Sequence, residues 1–177
     1  MLPELKEGLA YVVRHPHLRW IAVCTGTSNF FSQIIFAVGV LFMQRTLHMS
    51  AIAVGVTFAC FGIGATLGAL TTTPFQKAVG VGRAIWLPAV VFSVAGFAFP
   101  LAPRSFPLPA LMAGALLFGA TATAYNITQV SLRQAITPER LQGRMNAAMR
   151  WVVWGTIPLG TLLGGGLATW FSLRTAL

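Results

Sequence analysis

The sequence contains no aspartate, and its acidic residues are limited to Glu4, Glu7 and Glu139. Only 8% of the 177 residues are charged, whereas soluble domains carry charge on about a quarter of their residues. A soluble fold also needs polar residues to cover its outside, yet 56% of this chain is hydrophobic and its mean hydropathy is +0.75. The scarcity of charge therefore excludes an ordinary soluble domain and predicts an integral membrane protein.

Cysteine is also scarce, and Cys24 and Cys60 lack the CxxC spacing of a redox or metal motif. Both lie in apolar blocks, where a thiol usually behaves as a small hydrophobic side chain. His15 and His17 flank Pro16 and could ligate a metal, but a metal site needs three or four ligands. A solvated turn is the better interpretation of these histidines, and the sequence predicts no disulfide, metal or cofactor.

The basic residues give a net charge of +9, which raises the question of nucleic-acid binding. Nucleic-acid surfaces cluster basic and aromatic residues on one solvated face. Here the basic residues lie in short connections between apolar blocks, which is the distribution of cytoplasmic loops in membrane proteins. The expected partner is therefore the lipid bilayer rather than a nucleic acid.

Five apolar blocks are long enough to cross a bilayer, whose hydrocarbon core is roughly 30 Å thick. We predict an all-α polytopic bundle with a membrane domain at 18–173 and transmembrane helices at about 18–43, 52–72, 84–101, 110–132 and 151–171. Residues 1–17 are predicted to be a cytoplasmic juxtamembrane segment, in which the apolar spacing at 5–13 indicates an interfacial helix or the end of a linker. Gly64 and Gly68 have the spacing that favours close helix packing.

The positive-inside rule predicts a plasma-membrane protein with a cytoplasmic N-terminus. Five spans then place the C-terminus outside, together with Arg45, Arg104 and Arg174. The other nine basic residues lie in the cytoplasm: Lys6, Arg14, Arg19, Lys77, Arg83, Arg133, Arg140, Arg144 and Arg150. The reverse orientation would invert the rule.

The longest polar run, at 133–150, connects the last two predicted helices and is interpreted as a cytoplasmic loop. Within it, Thr137 is suited to cap a short helix, with Pro138 at the first helical position. Gly143 is expected to end that helix. We assign a role in gating and topology to five residues of the loop: Arg133, Glu139, Arg140, Gly143 and Arg144.

Uncharged polar residues form two stripes with helical spacing. The first lies in the predicted helix 18–43: Thr25, Ser28, Asn29, Ser32 and Gln33. The second lies in the predicted helix 110–132: Thr121, Tyr125, Asn126, Thr128 and Gln129. Two interpretations remain open, because such residues form interhelical hydrogen bonds or line a water-accessible cavity for a small-molecule solute.

The run RQAITPERLQGRMNAAMR followed by WVVWGTIPLGTLLGGGLA resembles the major facilitator superfamily, in particular its bacterial exporter branch related to enterobactin exporters. Pro138-Glu139, Gly143-Arg144 and Pro158-Leu159-Gly160 carry the resemblance, and Arg14-His15-Pro16 resembles the segment before the family's seventh helix. The resemblance implies helices seven to eleven of a twelve-helix transporter that works by alternating access. It also implies that the seventh and tenth helices, which hold the two stripes, face a central cavity.

One loop departs from the family pattern, because TPFQKAVGVGRA keeps Gly82-Arg83 but lacks the expected acidic residue. The resemblance also implies that the first six helices and the last helix are absent, so that the missing N-terminal half or another membrane chain is an expected partner. We therefore expect part of a solute exporter. The alternative is a truncated or accessory membrane protein that acts by helix packing. An enzyme is disfavoured, since no span contains a buried acid, a histidine or a paired nucleophile and base.

Overall fold

A computed structural model describes the backbone of residues 2–177 and the side chains of residues 6–175 and 177. Throughout this part of the chain the regular structure is helical, and the predicted all-α membrane bundle is confirmed. Helix α2 continues at its C-terminal end as a π-helix over Phe42–Thr46. The helices are α1 (Leu2–Arg14), α2 (Pro16–Leu41), α3 (Ala51–Gly96), α4 (Pro107–Ile136), α5 (Glu139–Trp170) and α6 (Leu173–Ala176).

Helix α3 consists of two antiparallel segments that meet at Gly80. At 46 residues, a straight helix would be about 69 Å long, which is far more than the hydrocarbon core. Gly80 has a φ of 80° and a non-helical ψ of 156°, a conformation that glycine adopts readily. Gly68 from the first segment and Pro88 from the second border one groove with Ala120 of α4, so the two segments lie side by side. The predicted helix 52–72 lies in the first segment, whereas the predicted helix 84–101 extends beyond the second, because α3 ends at Gly96 and residues 97–101 form turns.

The first segment of α3 packs on α4 through glycines that bring the two backbones together. A Cβ atom at Gly64 would overlap the Leu116 carbonyl oxygen, and one at Gly68 would overlap that of Ala120. From the other side, a Cβ atom at Gly119 would overlap the Phe61 carbonyl oxygen. The spacing of Gly64 and Gly68 therefore marks a helix-packing seam, as expected for small residues four apart.

Helices α2 and α5 form a second close pair. A Cβ atom at Gly160 would overlap the Phe30 carbonyl oxygen, and one at Gly164 would lie 3.1 Å from Cα of Ile34. The bundle therefore has two layers, α2 with α5 and α3 with α4, and each layer is held by direct backbone contact. The space between the layers contains the candidate site.

Helix α1 is docked on the first turns of α5. Val12 is buried with Leu18 of α2 and with Met145 and Met149 of α5. Gly8 faces the Arg144 carbonyl, and the Glu7 carboxylate accepts a hydrogen bond from the guanidinium of Arg144. This region, where α4 also ends, is called the α4–α5 end of the bundle below.

The connection between α4 and α5 is shorter than the sequence indicated. Residues 133–136 belong to α4 and residues 139–150 belong to α5, so that Thr137 and Pro138 alone separate the two helices. The prediction that Gly143 ends a short helix is wrong, because α5 runs through it. Glycine in a helix costs only about 1 kcal/mol, and the buried neighbours Leu141 and Met145 hold this stretch helical by packing.

The predicted hydroxyl cap at Thr137 is also wrong. Pro138 occupies the N-cap position of α5, and Oγ1 of Thr137 is buried without a hydrogen-bond partner among the described residues. Thr137 has an extended backbone (φ −103°, ψ 125°), because the residue before a proline avoids the helical region. The proline that predicts a helix start therefore also ends α4.

Candidate functional site

A cavity of about 170 Å³ lies between the two layers. Helix α2 and helix α4 supply its polar wall, and both segments of α3 contribute apolar residues. Eight polar residues line it: Thr25, Ser28, Asn29, Ser32, Gln33, Tyr125, Asn126 and Gln129. All five residues of the first predicted stripe and three of the second therefore lie around one space.

The cavity residues of α2 are partly satisfied by their own helix. The Asn29 side-chain amide donates to the Thr25 carbonyl oxygen at 2.8 Å, and the Ser32 hydroxyl donates to the Ser28 carbonyl oxygen at 2.6 Å. These bonds use one donor of each side chain and leave the Asn29 Oδ1 and the Ser32 lone pairs as acceptors. The α2 wall therefore presents neutral hydrogen-bonding groups without carrying a charge.

One direct hydrogen bond joins the polar walls of the two layers. The hydroxyls of Thr25 and Tyr125 are 2.9 Å apart. Both residues are buried, at 7% and 9% exposure. This contact is the interhelical bond that one interpretation of the stripes expects, while the other residues border open space. Thr25 and Tyr125 therefore both line the cavity and form an interhelical hydrogen bond.

Thr121 and Thr128 lie outside the cavity lining, although the second stripe includes them. The Thr128 hydroxyl is buried against α3, where it donates to the Ala124 carbonyl oxygen and accepts from the Gln76 side chain at 2.8 Å. Thr121 donates to the Leu117 carbonyl oxygen and borders a groove with α3. At 3.6 residues per turn, both lie on one side of Tyr125, and the cavity lies on the other side.

Phenylalanines close one side of the cavity, and the pattern of polar residues did not predict them. Phe36, Phe61, Phe92 and Phe118 all line it. The Phe92 and Phe118 ring centroids are 4.2 Å apart, and those of Phe36 and Phe61 are 6.1 Å apart. Phe36 follows Gln33 by three residues, so the helical period that defines the stripe also points to this ring. The cavity is thus polar on one wall and aromatic on another.

Beyond the phenylalanines, the bundle is closed at the end that holds α6. Phe42 and Met43 of the π-helix are 0% and 1% exposed, within a core that includes Ala102 and Leu111. Arg174 ties this end together, because its Nε donates to the Pro100 carbonyl oxygen at 2.8 Å and its Nη2 to that of Ala102 at 2.6 Å. Its guanidinium also lies 6.0 Å from the Phe42 ring centroid. We call this the α6 end.

The five residues assigned to gating and topology lie at the opposite, α4–α5 end, in different surroundings. Arg133 belongs to the last turn of α4 and is only 8% exposed. Arg144 is ion-paired with Glu7. Glu139, Arg140 and Gly143 are exposed. Arg133 is therefore the one member of this set that is buried inside the bundle.

The comparisons with known proteins point to one family. The family model described as "Major Facilitator Superfamily" matches residues 21–177. The "Enterobactin exporter EntS" of Salmonella typhimurium is similar to this chain, with 30% identity over 171 residues, which covers 92% of this chain and 38% of that protein. Its counterpart in Citrobacter koseri is 28% identical, with 94% of this chain and 39% of that protein covered.

A third relative has no assigned substrate. The "Uncharacterized MFS-type transporter y4rN" of Sinorhizobium fredii is 28% identical over 172 residues, covering 96% of this chain and 42% of that protein. The chain thus spans about two fifths of the length of these curated relatives. No solved structure matches the chain.

Proposed function

The chain belongs to the Major Facilitator Superfamily, and we propose that it forms part of a secondary active transporter that exports a small solute by alternating access. Family membership makes it an integral membrane protein of a transporter family, and points to transport rather than to enzymatic catalysis. The direction of transport and the binding site are our proposals. They are supported by the exporter names of the relatives and by the cavity.

The observation that carries the proposal is the convergence of the two polar stripes. Asn29 and Gln33 of α2 border the same cavity as Asn126 and Gln129 of α4, although the two helices are distant in the sequence. Side-chain amides donate and accept hydrogen bonds without the desolvation penalty of a charge. A cavity with amides on one wall and phenylalanines on another suits a solute that has both polar groups and an apolar or aromatic surface.

We propose that a second set of helices completes the cavity. In transporters of this kind the site lies between two repeats, and the chain spans about two fifths of its relatives. A larger space of about 440 Å³ adjoins the cavity, shares Ser28 and Ser32 with it, and is otherwise mostly apolar. Helices of the N-terminal half, or of another membrane chain, would cover this space.

We further propose that the N-terminus and the α4–α5 end face the cytoplasm of a bacterial cell. The support is the positive-inside rule, since nine of the 12 basic residues then lie inside. In that orientation the closed α6 end faces outward. The cavity would then be poised to receive a solute from the cytoplasm, which is the direction that export requires.

The test is transport by the intact protein that contains this chain, in membrane vesicles. We expect the combined variant Asn29→Ala, Gln33→Ala, Gln129→Ala to reduce the initial rate of solute efflux at least tenfold, because it removes three hydrogen-bonding side chains from the cavity. Each lost hydrogen bond would weaken the binding free energy of the solute by about 0.6 to 2 kcal/mol.

The matched control is Thr66→Ala. Thr66 is an exposed residue of α3 that donates to the Gly62 carbonyl oxygen and lies outside the cavity lining. We expect this variant to retain the full efflux rate at equal expression. Unchanged efflux in the triple variant would remove the cavity from the transport pathway.

A further inference from the structure

Two buried polar residues of α4 and the residue that caps its C-terminus follow one another along the helix axis. Gln129, Arg133 and Thr137 are four residues apart, so each lies about one turn beyond the last, from the cavity towards the α4–α5 end. They are 3%, 8% and 4% exposed. Gln129 also lines the cavity itself. We call these three residues the polar column.

Each residue of the polar column has a buried polar atom without a hydrogen-bond partner in the part of the chain described here. The atoms are Oε1 of Gln129, Nε of Arg133 and Oγ1 of Thr137. Buried polar atoms are nearly always hydrogen-bonded, and each exception calls for an explanation. Three exceptions at successive turns of one helix indicate a common cause.

The chemistry of these atoms identifies what would bind them. Gln129 Oε1 accepts a hydrogen bond, Arg133 Nε donates one, and the Thr137 hydroxyl does both. Water satisfies all three. Eight residues of helix rise about 12 Å, so a short file of water along the column would connect the cavity with the surface at the α4–α5 end.

Arg133 adds a charge to this passage. Among the described residues no acidic side chain forms an ion pair with it, since Glu7 pairs with Arg144 and Glu139 is exposed. A buried charge needs a compensating partner, and a guanidinium holds its charge and offers a planar set of donors that matches an oxyanion. A carboxylate, phosphate or other anionic group that enters the passage would pair with the Arg133 guanidinium.

We propose that the polar column is a hydrated passage into the cavity and that Arg133 selects solutes that carry a negative charge. The identity of the anion as a transported solute rests on the proposed function. The passage and its preference for anions do not, because they follow from the column alone. Arg133 thereby acquires a role in specificity in addition to the topological role that its position in the sequence indicates.

The experiment measures the reaction of a cysteine placed inside the passage. Gln129→Cys is introduced into the intact protein with Cys24→Ser and Cys60→Ser, and the purified protein is reconstituted in liposomes. Two methanethiosulfonate reagents of similar size serve as probes, one with an anionic sulfonate and one with a cationic trimethylammonium group. The readout is the ratio of the anionic to the cationic reaction rate, which cancels differences in overall accessibility between variants.

We expect both reagents to modify the introduced cysteine in the folded protein. Arg133→Gln should lower the rate ratio at least fivefold, because the anionic reagent loses its attraction and the cationic reagent loses its repulsion. Arg133→Lys keeps the charge and should restore most of the ratio. Arg140→Gln removes an exposed arginine at the same end and should leave the ratio unchanged.

Two results would overturn the proposal. If both reagents fail to modify the introduced cysteine in the folded protein while modifying it fully after unfolding in detergent, the passage does not exist. If Arg133→Gln and Arg140→Gln change the ratio equally, Arg133 has no special role. If the Gln variant does not fold, modification of the introduced cysteine in the protein that keeps Arg133 still tests the passage. Efflux is measured separately, on the protein that keeps Gln129, so that failure of the proposed transport function is recognised independently of this outcome.

Discussion

At the scale of single residues, glycines determine how closely the helices approach. Gly64 and Gly68 allow the α3 backbone to touch the α4 backbone at Leu116 and Ala120, whereas Gly62 has open space where its Cβ would be. Without a hydrophobic driving force between helices in lipid, such close packing supplies much of the association energy. We therefore expect substitution of Gly64 or Gly68 to destabilise the bundle and substitution of Gly62 to be tolerated.

We expect Gly68→Ala to destabilise the bundle. Alanine has a helix propensity about 1 kcal/mol more favourable than glycine, but its Cβ would overlap the Ala120 carbonyl oxygen, a main-chain atom that cannot move independently of α4. The net effect should be a lower midpoint of thermal unfolding, measured in detergent by circular dichroism.

Gly62→Ala is the matched control for this prediction. It offers the same gain in propensity without a clash, so its midpoint should equal or exceed that of the parent. Equal midpoints for both alanine variants would mean that the α3–α4 seam is looser than the structure indicates.

At the scale of elements, the polar stripe of α2 lies wholly along the cavity, whereas the stripe of α4 does so only in part. All five polar residues predicted on α2 border the cavity, but Thr121 and Thr128 of α4 do not. A polar stripe identifies one face of a helix. The position of the neighbouring α3 decides which edge of that face is packed against α3 and which edge borders the cavity. That position depends on glycine contacts between residues far apart in sequence, which a periodic pattern does not contain.

Tertiary packing also decides whether a glycine in the sequence ends a helix. Gly143 has the features of a helix terminator, yet α5 continues because Leu141 and Met145 pack against the rest of the bundle. At Gly80, by contrast, residues 80–83 are all exposed, and the glycine, with its positive φ, does change the direction of the chain. The burial of the surrounding residues distinguishes these two positions, and it is known only once the tertiary structure is.

The α6 end supplies a prediction about how elements are held together. Arg174 connects α6 to the turn after α3 through the carbonyl oxygens of Pro100 and Ala102, beside the buried Phe42 and Met43. Arg174→Ala removes two charge-assisted hydrogen bonds, each worth about 1.5 to 3 kcal/mol. In a Met43→Cys background without native cysteines, we expect this change to raise the rate of reaction with a water-soluble maleimide at least tenfold.

Arg104→Ala is the control for this end of the bundle, since Arg104 belongs to the connection between α3 and α4 and is exposed. It should leave the reaction rate at position 43 unchanged. If Arg174→Ala left the reaction at position 43 as slow as it is with Arg174 present, the apolar core around Phe42 would close this end without help from the arginine.

At the scale of the whole molecule, the contacts within each layer differ from the contacts between the two layers. Within each layer, glycines bring backbones into contact. Around the cavity, the layers meet through the Thr25–Tyr125 hydrogen bond and through Phe36 and Phe118, and at the α6 end they meet through the side chains around Phe42 and Met43. The cavity therefore lies at the weaker boundary, where relative movement of the layers requires the fewest contacts to break. Such movement is what alternating access demands of a solute site.

The outer surface is also consistent with additional helices. Trp154, Leu162 and Trp170 of α5 are 66%, 73% and 85% exposed. Such residues suit lipid or another membrane helix, and together with the apolar space beside the cavity they leave room for a second half. The sequence alone predicted the membrane class, but the open side of the cavity could be located only from the structure.

The central claim, that one face of α2 lines a water-filled cavity, is tested most directly by a cysteine scan of residues 25–38 in the intact protein. Single cysteines are placed in a background without Cys24 and Cys60, and the rate of reaction with a membrane-impermeant maleimide is measured in open membranes. We predict fast reaction at positions 28, 29, 32 and 33, which line the cavity and are not fully buried, and at least tenfold slower reaction at 34 and 38, which are buried. Uniformly slow reaction across the scan, or reactivity confined to the lipid-facing positions, would contradict the account.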